Sequence, residues 1–115
     1  MEMVNFVYEV TRTFPREEIY GLTNQMRRAA VSVPSNIAEG QGRKSTKEFM
    51  HHLSIAYGSL MEVETQAIIS EGQKFLTPSQ AEQLLNKTAE VGRLVNGLSN
   101  SLINKQSASA EASDH

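Results

Sequence analysis

The sequence predicts an all-α protein, an up-down antiparallel four-helix bundle. Apolar residues recur at intervals of three and four along most of the chain, which is the period of one helix face, whereas a strand needs a period of two. Only three prolines interrupt the 115 residues, and that length suits one domain. Because the connections between the predicted helices are short, we expect consecutive helices to be antiparallel neighbours.

Helices one and two occupy the first third of the chain. Helix one fits residues 3–13. Its apolar side consists of Val4, Val7 and either Val10 or Thr11. Helix two begins near Pro15, since proline suits the first helical turn, and two glutamates follow where the helix dipole is positive. Its apolar face consists of Ile19, Leu22, Met26, Ala29, Val33 and Ile37.

Pro34 interrupts the pattern of helix two. A proline inside a helix removes one hydrogen bond and crowds the carbonyl four residues before it, here that of Ala30. The apolar spacing nevertheless continues through Val33 to Ile37. We therefore expect one continuous helix with a kink, rather than two helices.

Helices three and four each begin at a capping box. Ser45–Glu48 has the S-x-x-E pattern, and Thr77–Gln80 adds a first-turn proline at Pro78. Gly72 stands where helix three should end. The apolar face of helix three consists of Phe49, Leu53, Ala56, Leu60, Val63 and Ala67. That of helix four consists of Ala81, Leu84, Thr88, Val91, Val95, Leu98 and Leu102.

The composition limits both the organisation of the chain and the kinds of site it can hold. Residues 1–102 are predicted to form the bundle, and the polar Ser/Ala-rich residues 103–115 a disordered tail. There are no cysteines, so disulfides and thiolate metal sites are excluded. The first residues do not resemble a signal peptide, and no apolar run approaches the ~20 residues of a membrane span. We expect a soluble, cytoplasmic protein with no membrane partner.

The stretch "NIAEGQGRKS", residues 36–45, suggests a phosphate-binding loop, but its spacing is wrong for one. A P-loop needs a glycine directly before the Lys-Ser pair and a buried strand before the loop. Arg43 stands at the glycine position, and the preceding pattern is helical. A dinucleotide fingerprint would need a glycine at Ser45. The two glycines of the stretch are instead interpreted as the end of helix two.

The remaining polar residues do not assemble into a recognisable catalytic set. His51 and His52 are adjacent, so on a helix they point ~100° apart and cannot share a metal ion. Glu48 and His52 lie one turn apart and could share a hydrogen bond or supply two metal ligands, fewer than a structural zinc site needs. Asp114 lies in the predicted tail, so a Ser-His-Asp triad is implausible. We expect no catalytic residue, cofactor or metal, and the protein is interpreted as a non-enzyme.

Positive charge is concentrated in one part of a chain whose net charge is −2. Between residues 27 and 47, five basic residues face one acid, Glu39, which gives 5 − 1 = +4 and leaves −6 for the rest. The basic residues are Arg27, Arg28, Arg43, Lys44 and Lys47. Such asymmetry favours an anionic partner, the alternative being a solvated helix face.

Helix three carries a second apolar stripe beside its first. The stripe consists of Met50, Tyr57, Met61 and Ile68. It either widens the contact with the core or forms an interface between subunits.

The segment Leu22–Gln66, "LTNQMRRAAVSVPSNIAEGQGRKSTKEFMHHLSIAYGSLMEVETQ", resembles the signature of the four-helix bundle proteins named for the 23S rRNA intervening sequence. That signature runs Q-[LM]-R-R-A-A-x-S-[IV]-x-x-N-I-A-E-G, then G-R, K-x-F and A-x-G-S-x-x-E-x-E-T. The matching residues are Gln25, Arg27 to Ala30, Ser32, Pro34, Asn36 to Gly40, Gly42, Arg43, Phe49, Ala56, Gly58, Ser59, Glu62, Glu64 and Thr65.

The resemblance implies a small bundle that assembles as a homopentamer. Some members are encoded within intervening sequences of large-subunit rRNA genes. Similar bundles are accessory proteins of diversity-generating retroelements, where a pentamer with basic surfaces binds a reverse transcriptase and nucleic acid. The family brings no catalytic residues with it.

These observations together predict a non-enzymatic, oligomeric binding module for RNA or a nucleoprotein, such as a reverse-transcriptase complex. The five basic residues are its predicted nucleic-acid contacts. The alternative is a purely structural assembly protein whose basic residues pair with neighbouring acids. A third interpretation is a metal-assisted hydrolase that uses Glu48 and His52.

Overall fold

Four α-helices make up the part of the chain that the structure describes, as the apolar spacing predicted. The structure, a computed structural model, describes the backbone of residues 1–113 and the side chains of residues 1–107. The helices are α1 (Glu2–Thr11), α2 (Leu22–Gln41), α3 (Thr46–Gly72) and α4 (Pro78–Ser113), with a 3₁₀ turn at Arg16–Glu18. Within the described residues, no helix is both long enough and apolar enough to cross a membrane.

Contacts between the helices show that consecutive helices run antiparallel. Along α2–α3 and α3–α4, residue numbers rise on one helix as they fall on the other. α1 is antiparallel to α4, because Met1 and Leu94 line one cleft and Phe6 contacts Lys87. The contacts are Met26–Ser70, Ser32–Ser59 and Asn36–His52 between α2 and α3, Glu64–Thr88 and Leu60–Gly92 between α3 and α4, Thr11–Arg27 between α1 and α2, and Phe6–Lys87 between α1 and α4. The topology is therefore up-down-up-down.

The core lies along the predicted apolar faces. On α3, five of the six predicted positions are fully buried, and Phe49 packs at the edge of the core. On α1 the structure buries both Val10 and Thr11, which the spacing left as alternatives. The Thr11 hydroxyl donates to the Val7 carbonyl at 2.7 Å, so the polar group is buried with a partner.

Thr88 is the polar residue on the apolar face of α4, and it is completely buried. Its hydroxyl lies 2.9 Å from the Leu85 carbonyl and 3.1 Å from the Glu64 carboxylate. A buried hydroxyl is costly only without a partner. Thr88 therefore joins α3 to α4 by a hydrogen bond within an otherwise apolar seam.

Helix α2 begins at Leu22, and the expected start near Pro15 is wrong. Pro15 has an extended backbone, and Arg16–Glu18 form a separate 3₁₀ turn. The Glu18 carboxylate then accepts the Leu22 N–H at 3.1 Å, which satisfies one free donor at the start of α2. Ile19 consequently lies in the connection and is 53 % exposed, rather than on the apolar face of α2.

Pro34 lies inside α2 and does not divide it. The helix continues for two turns beyond the proline, as the apolar spacing indicated. Next to it, the Asn36 side-chain amide donates to the Ser32 carbonyl at 2.9 Å. Asn36 therefore supplies an additional hydrogen bond to the turn that the proline weakens.

Helix α4 continues to Ser113, whereas an irregular tail was predicted from residue 103. Leu102 is the last residue that packs against the core, and residues 103–107 are exposed. The sequence beyond them contains alternate alanines, which have the highest helix propensity and favour a helical backbone. Asp114 and His115, also assigned to the tail, lie outside the described residues.

Candidate nucleic-acid interface

The predicted basic stretch forms the corner between α2 and α3. α2 ends at Gln41, and α3 begins at Thr46 after Ser45. The Ser45 hydroxyl accepts the Glu48 N–H at 3.1 Å, which is the first of the two hydrogen bonds of a capping box. The corner thus places Arg43, Lys44 and Lys47 around the amino end of α3.

Gly40 lets α2 and α3 approach closely beside this corner. A Cβ atom at Gly40 would lie 2.9 Å from Cβ of His52 and 2.9 Å from Cδ1 of Phe49. No glycine of the described chain has a positive φ, and Gly42 is the C-cap of α2 with φ −79°. The glycines therefore do not end α2 through a left-handed turn, and Gly40 serves helix packing instead.

Three basic side chains and two histidines surround the corner, but they are not equally free. Arg43 donates to the Glu39 carboxylate at 2.7 Å, and the two side chains are 46 % and 53 % exposed. Lys44 and Lys47 are exposed, and no carboxylate of the described residues lies within 4.0 Å of either. The free positive charge of the corner therefore comes chiefly from the two lysines.

A cleft of about 620 Å³ opens at this corner. It is lined by Arg43, Ser45, Lys47, Glu48, His51 and His52. Because the first turn of α3 leaves N–H groups without helical partners, the cleft combines backbone donors with basic side chains. Such a combination suits a phosphate oxygen.

His52 belongs to a polar network that the sequence analysis did not identify. Its Nδ1 lies 3.1 Å from Asn36 Oδ1, an acceptor, so Nδ1 carries the proton in this contact. Asn36 in turn donates to the Ser32 hydroxyl at 3.0 Å, and Ser32 bonds Ser59 at 2.8 Å. The partner of His52 is thus Asn36 on α2, rather than Glu48 one turn away. The sequence offered no signal for this pair, since the two residues lie on different helices.

Arg27 does not belong to the corner. Its Nε donates to the Thr11 hydroxyl at 2.9 Å, and its guanidinium carbon lies 4.7 Å from the centre of the Tyr8 ring. Arg27 and Arg43 are sixteen residues apart on or just beyond α2, which corresponds to about 24 Å along a helix axis. The predicted five-residue patch is therefore divided between two places.

Arg28 lies at the same end of α2 as Arg27, and the two arginines line one cleft beside Tyr8. Arg28 also lines a polar groove between α2 and α3. The groove has a volume of about 500 Å³, and Gln25, Ser59, Glu62 and Gln66 also line it. A carboxylate thus shares the surface with Arg28, although the two groups do not form an ion pair within 4.0 Å. Thirteen residues of α2 lie between Arg28 and the end of that helix at Gln41, about 20 Å along the axis, so Arg28 is remote from Lys44 and Lys47.

The second apolar stripe of α3 is divided between core and surface. Met61 packs against the core, and Met50 is half-buried. Tyr57 is 38 % exposed and Ile68 is 60 % exposed. The broad core contact therefore accounts for Met61, while Tyr57 and Ile68 present apolar surface to solvent.

These features define an all-α protein of the four-helix bundle class with separate basic surfaces. The chain belongs to the 23S rRNA-intervening sequence protein family, whose model matches residues 1–97. This confirms the resemblance inferred from the signature segment.

The fold is also similar to that of a solved protein. A crystal structure of a protein with unknown function from the S23 ribosomal protein family, from Bacteroides thetaiotaomicron VPI-5482, has a TM-score of 0.74 and 22 % identity. The alignment covers 85 % of this chain and 88 % of that one. At this identity, the likeness shows the fold alone. No curated protein sequence matches this chain.

Proposed function

We propose that the protein is a non-enzymatic, oligomeric module that binds RNA through the α2–α3 corner. The observation that carries this proposal is the pair of exposed lysines, Lys44 and Lys47, beside the cleft at the amino end of α3. Neither lysine is neutralised by a carboxylate of the described residues within 4.0 Å. An RNA backbone, alone or within a nucleoprotein, supplies the anions that such a surface attracts.

The chemistry of the corner favours phosphate rather than base recognition. The Ser45 hydroxyl accepts the Glu48 N–H, one of the N–H groups without a helical partner at the start of α3. The other N–H groups of the first turn remain available to a phosphate oxygen. Arg43 contributes less, because Glu39 already holds part of its guanidinium. Phosphate contacts carry no sequence information, so binding should depend strongly on salt and weakly on sequence.

A salt titration with two matched variants tests the corner. In Lys44→Ala/Lys47→Ala, affinity for a structured RNA should fall for all sequences alike. The log–log salt slope should become shallower by roughly 0.7 to 0.9 for each lost phosphate contact. The control is Arg93→Ala/Lys105→Ala, which removes the same charge from exposed positions of α4. Equal losses of RNA affinity in both variants would show that only the net charge matters. The corner would then not be the binding site.

The oligomeric part of the proposal rests on Tyr57 and Ile68, which expose apolar surface on α3. Together with the family resemblance, they favour a homopentamer. Light scattering at micromolar concentration should give a mass of about five chains. A mass of one chain that does not change with concentration would refute this assembly.

Ile68→Glu is the variant that separates assembly from folding. Ile68 is 60 % exposed, so a charge there should weaken assembly and leave the helical content unchanged. Met61→Glu is less suitable, since Met61 packs against the core. Ile103→Glu, at a 46 % exposed isoleucine outside the stripe, is the control. If assembly persists while RNA binding is absent, the protein is a structural assembly protein instead.

A further inference from the structure

A second basic cleft lies at the connection between α1 and α2, and it includes two arginines that the sequence analysis did not select. The cleft has a volume of about 370 Å³, and its lining includes Arg12, Arg16, Arg27, Ile19 and Thr23. Arg12 and Arg16 are exposed. The chain reverses direction after α1, and this places Arg12 and Arg16 in the same cleft as Arg27, which lies on α2.

Arg27 is held in place by groups that leave most of its donors free. Its Nε donates to Thr11 Oγ1, and the Thr11 hydroxyl is itself fixed by the Val7 carbonyl. The guanidinium carbon of Arg27 lies over the Tyr8 ring, 4.7 Å from its centre. The terminal nitrogens of Arg27 make no hydrogen bond to any described residue. An arginine held in this way presents its planar fork to a phosphate with little further loss of conformational freedom.

The charges of this cleft are not neutralised within the described chain. No carboxylate of the described residues lies within 4.0 Å of the guanidinium groups of Arg12, Arg16 or Arg27. Glu18 is close in sequence, but its carboxylate accepts the Leu22 N–H at the start of α2. Three guanidinium groups without an ion pair among the described residues therefore surround one cleft, where they can bind an anion from outside the protein.

An exposed aromatic residue lies in the same connection. Tyr20 is 92 % exposed, and its neighbour Ile19, which lines the cleft, is 53 % exposed. Aromatic rings in water beside basic residues are stacking platforms for unpaired bases, since every base has a π-face. A duplex keeps its bases stacked inside and does not offer them to such a ring.

We infer that the α1–α2 cleft is a binding site for single-stranded RNA. Arg12, Arg16 and Arg27 contact the phosphate backbone, and one base stacks on Tyr20. This site lies about 24 Å along α2 from the corner, by the rise of an α-helix. RNA binding at this cleft therefore does not depend on the function proposed for the α2–α3 corner.

The experiment measures fluorescence anisotropy of a short labelled RNA of mixed sequence, single-stranded or annealed to its complement. In Arg12→Ala/Arg16→Ala, the salt slope for the single strand should fall by roughly 0.7 for each lost contact. Arg27 is left unchanged because it also packs against Tyr8 and Thr11. Circular dichroism should show wild-type helicity, since both substituted side chains are exposed.

Two variants of Tyr20 test the stacking. Tyr20→Ala should weaken binding of the single strand by roughly 5- to 150-fold, the value of one base–aromatic contact. Tyr20→Phe keeps the ring and should bind as the wild type does. Binding of the annealed duplex should be the same for all three proteins.

Four results would overturn the inference. One is an unchanged affinity and salt slope in Arg12→Ala/Arg16→Ala. Another is an equal effect of Tyr20→Ala on single strand and duplex. A third is competition by inorganic phosphate at concentrations too low to screen the charges, which would make the cleft a site for free phosphate. A loss of binding confined to Lys44→Ala/Lys47→Ala would refute the cleft and leave the corner standing.

Discussion

Gly40→Ala is the substitution whose effect follows most directly from the packing of α2 on α3. The new Cβ would lie 2.9 Å from His52 Cβ and from Phe49 Cδ1, whereas carbon atoms in favourable contact are about 3.5 to 4.0 Å apart. The two helices must therefore separate by several tenths of an ångström, or Phe49 must move. Overpacking of this kind costs about 1 to 3 kcal/mol.

The net change in stability of Gly40→Ala also depends on backbone strain and helix propensity. The backbone of Gly40 is helical, with a negative φ, so alanine adds no conformational strain. Replacing glycine by alanine in a helix contributes up to about 1 kcal/mol, and less near a helix end. We therefore expect Gly40→Ala to lower the free energy of unfolding by about 1 to 2 kcal/mol.

Gly58→Ala is the matched control on α3. A Cβ at Gly58 meets no atom within 4 Å, so only the helix propensity changes. Its free energy of unfolding should rise by up to about 1 kcal/mol. The two variants should therefore differ by about 1 to 3 kcal/mol, with opposite signs relative to the wild type.

Urea unfolding followed by circular dichroism measures both variants. All proteins must be compared at one protein concentration, because assembly of a folded chain raises its apparent stability. If Gly40→Ala proved as stable as Gly58→Ala, the close approach of α2 and α3 at the corner would not require glycine. The packing argument for Gly40 would then be refuted.

Two other substitutions test the core and the helix caps by the same measurement. Leu60→Ala should lower the free energy of unfolding by about 2 to 5 kcal/mol, because Leu60 is fully buried at the centre of α3; a cost under 1 kcal/mol would mean that the core collapses around the cavity. Thr77→Ala should cost about 1 kcal/mol, since the Thr77 hydroxyl caps the Gln80 N–H at 3.1 Å and Gln80 returns a bond at 3.0 Å. No measurable cost would show that water replaces this cap.

The division of the basic residues changes how the charge pattern of the chain is interpreted. A count along the sequence groups Arg27 and Arg28 with Arg43, Lys44 and Lys47. In the structure the first two lie near the start of α2 and the others at its far end. Arg12 and Arg16 were overlooked because nearby glutamates cancel their charge in such a count. Only the structure shows that the carboxylate of one of these glutamates, Glu18, accepts the Leu22 N–H at the start of α2.

The sequence by itself determined the number and order of the helices and much of the core. The period of three and four placed Leu53, Ala56, Leu60, Val63 and Ala67 on one face of α3, and all five are fully buried. The capping box at Thr77 likewise forms both of its hydrogen bonds. These features depend on residues within a few positions of one another, so local geometry is sufficient to predict them.

Only the tertiary structure decided which residues meet across helices. Antiparallel packing joins Thr11 to Arg27 and Asn36 to His52, although each pair is sixteen residues apart. On a single helix the same separation spans about 24 Å, as it does between Arg27 and Arg43. The same sixteen-residue separation therefore gives a contact in the first two pairs and a distance of about 24 Å between Arg27 and Arg43. The reason is that the chain reverses direction between the members of the first two pairs, whereas Arg27 and Arg43 lie along one helix direction.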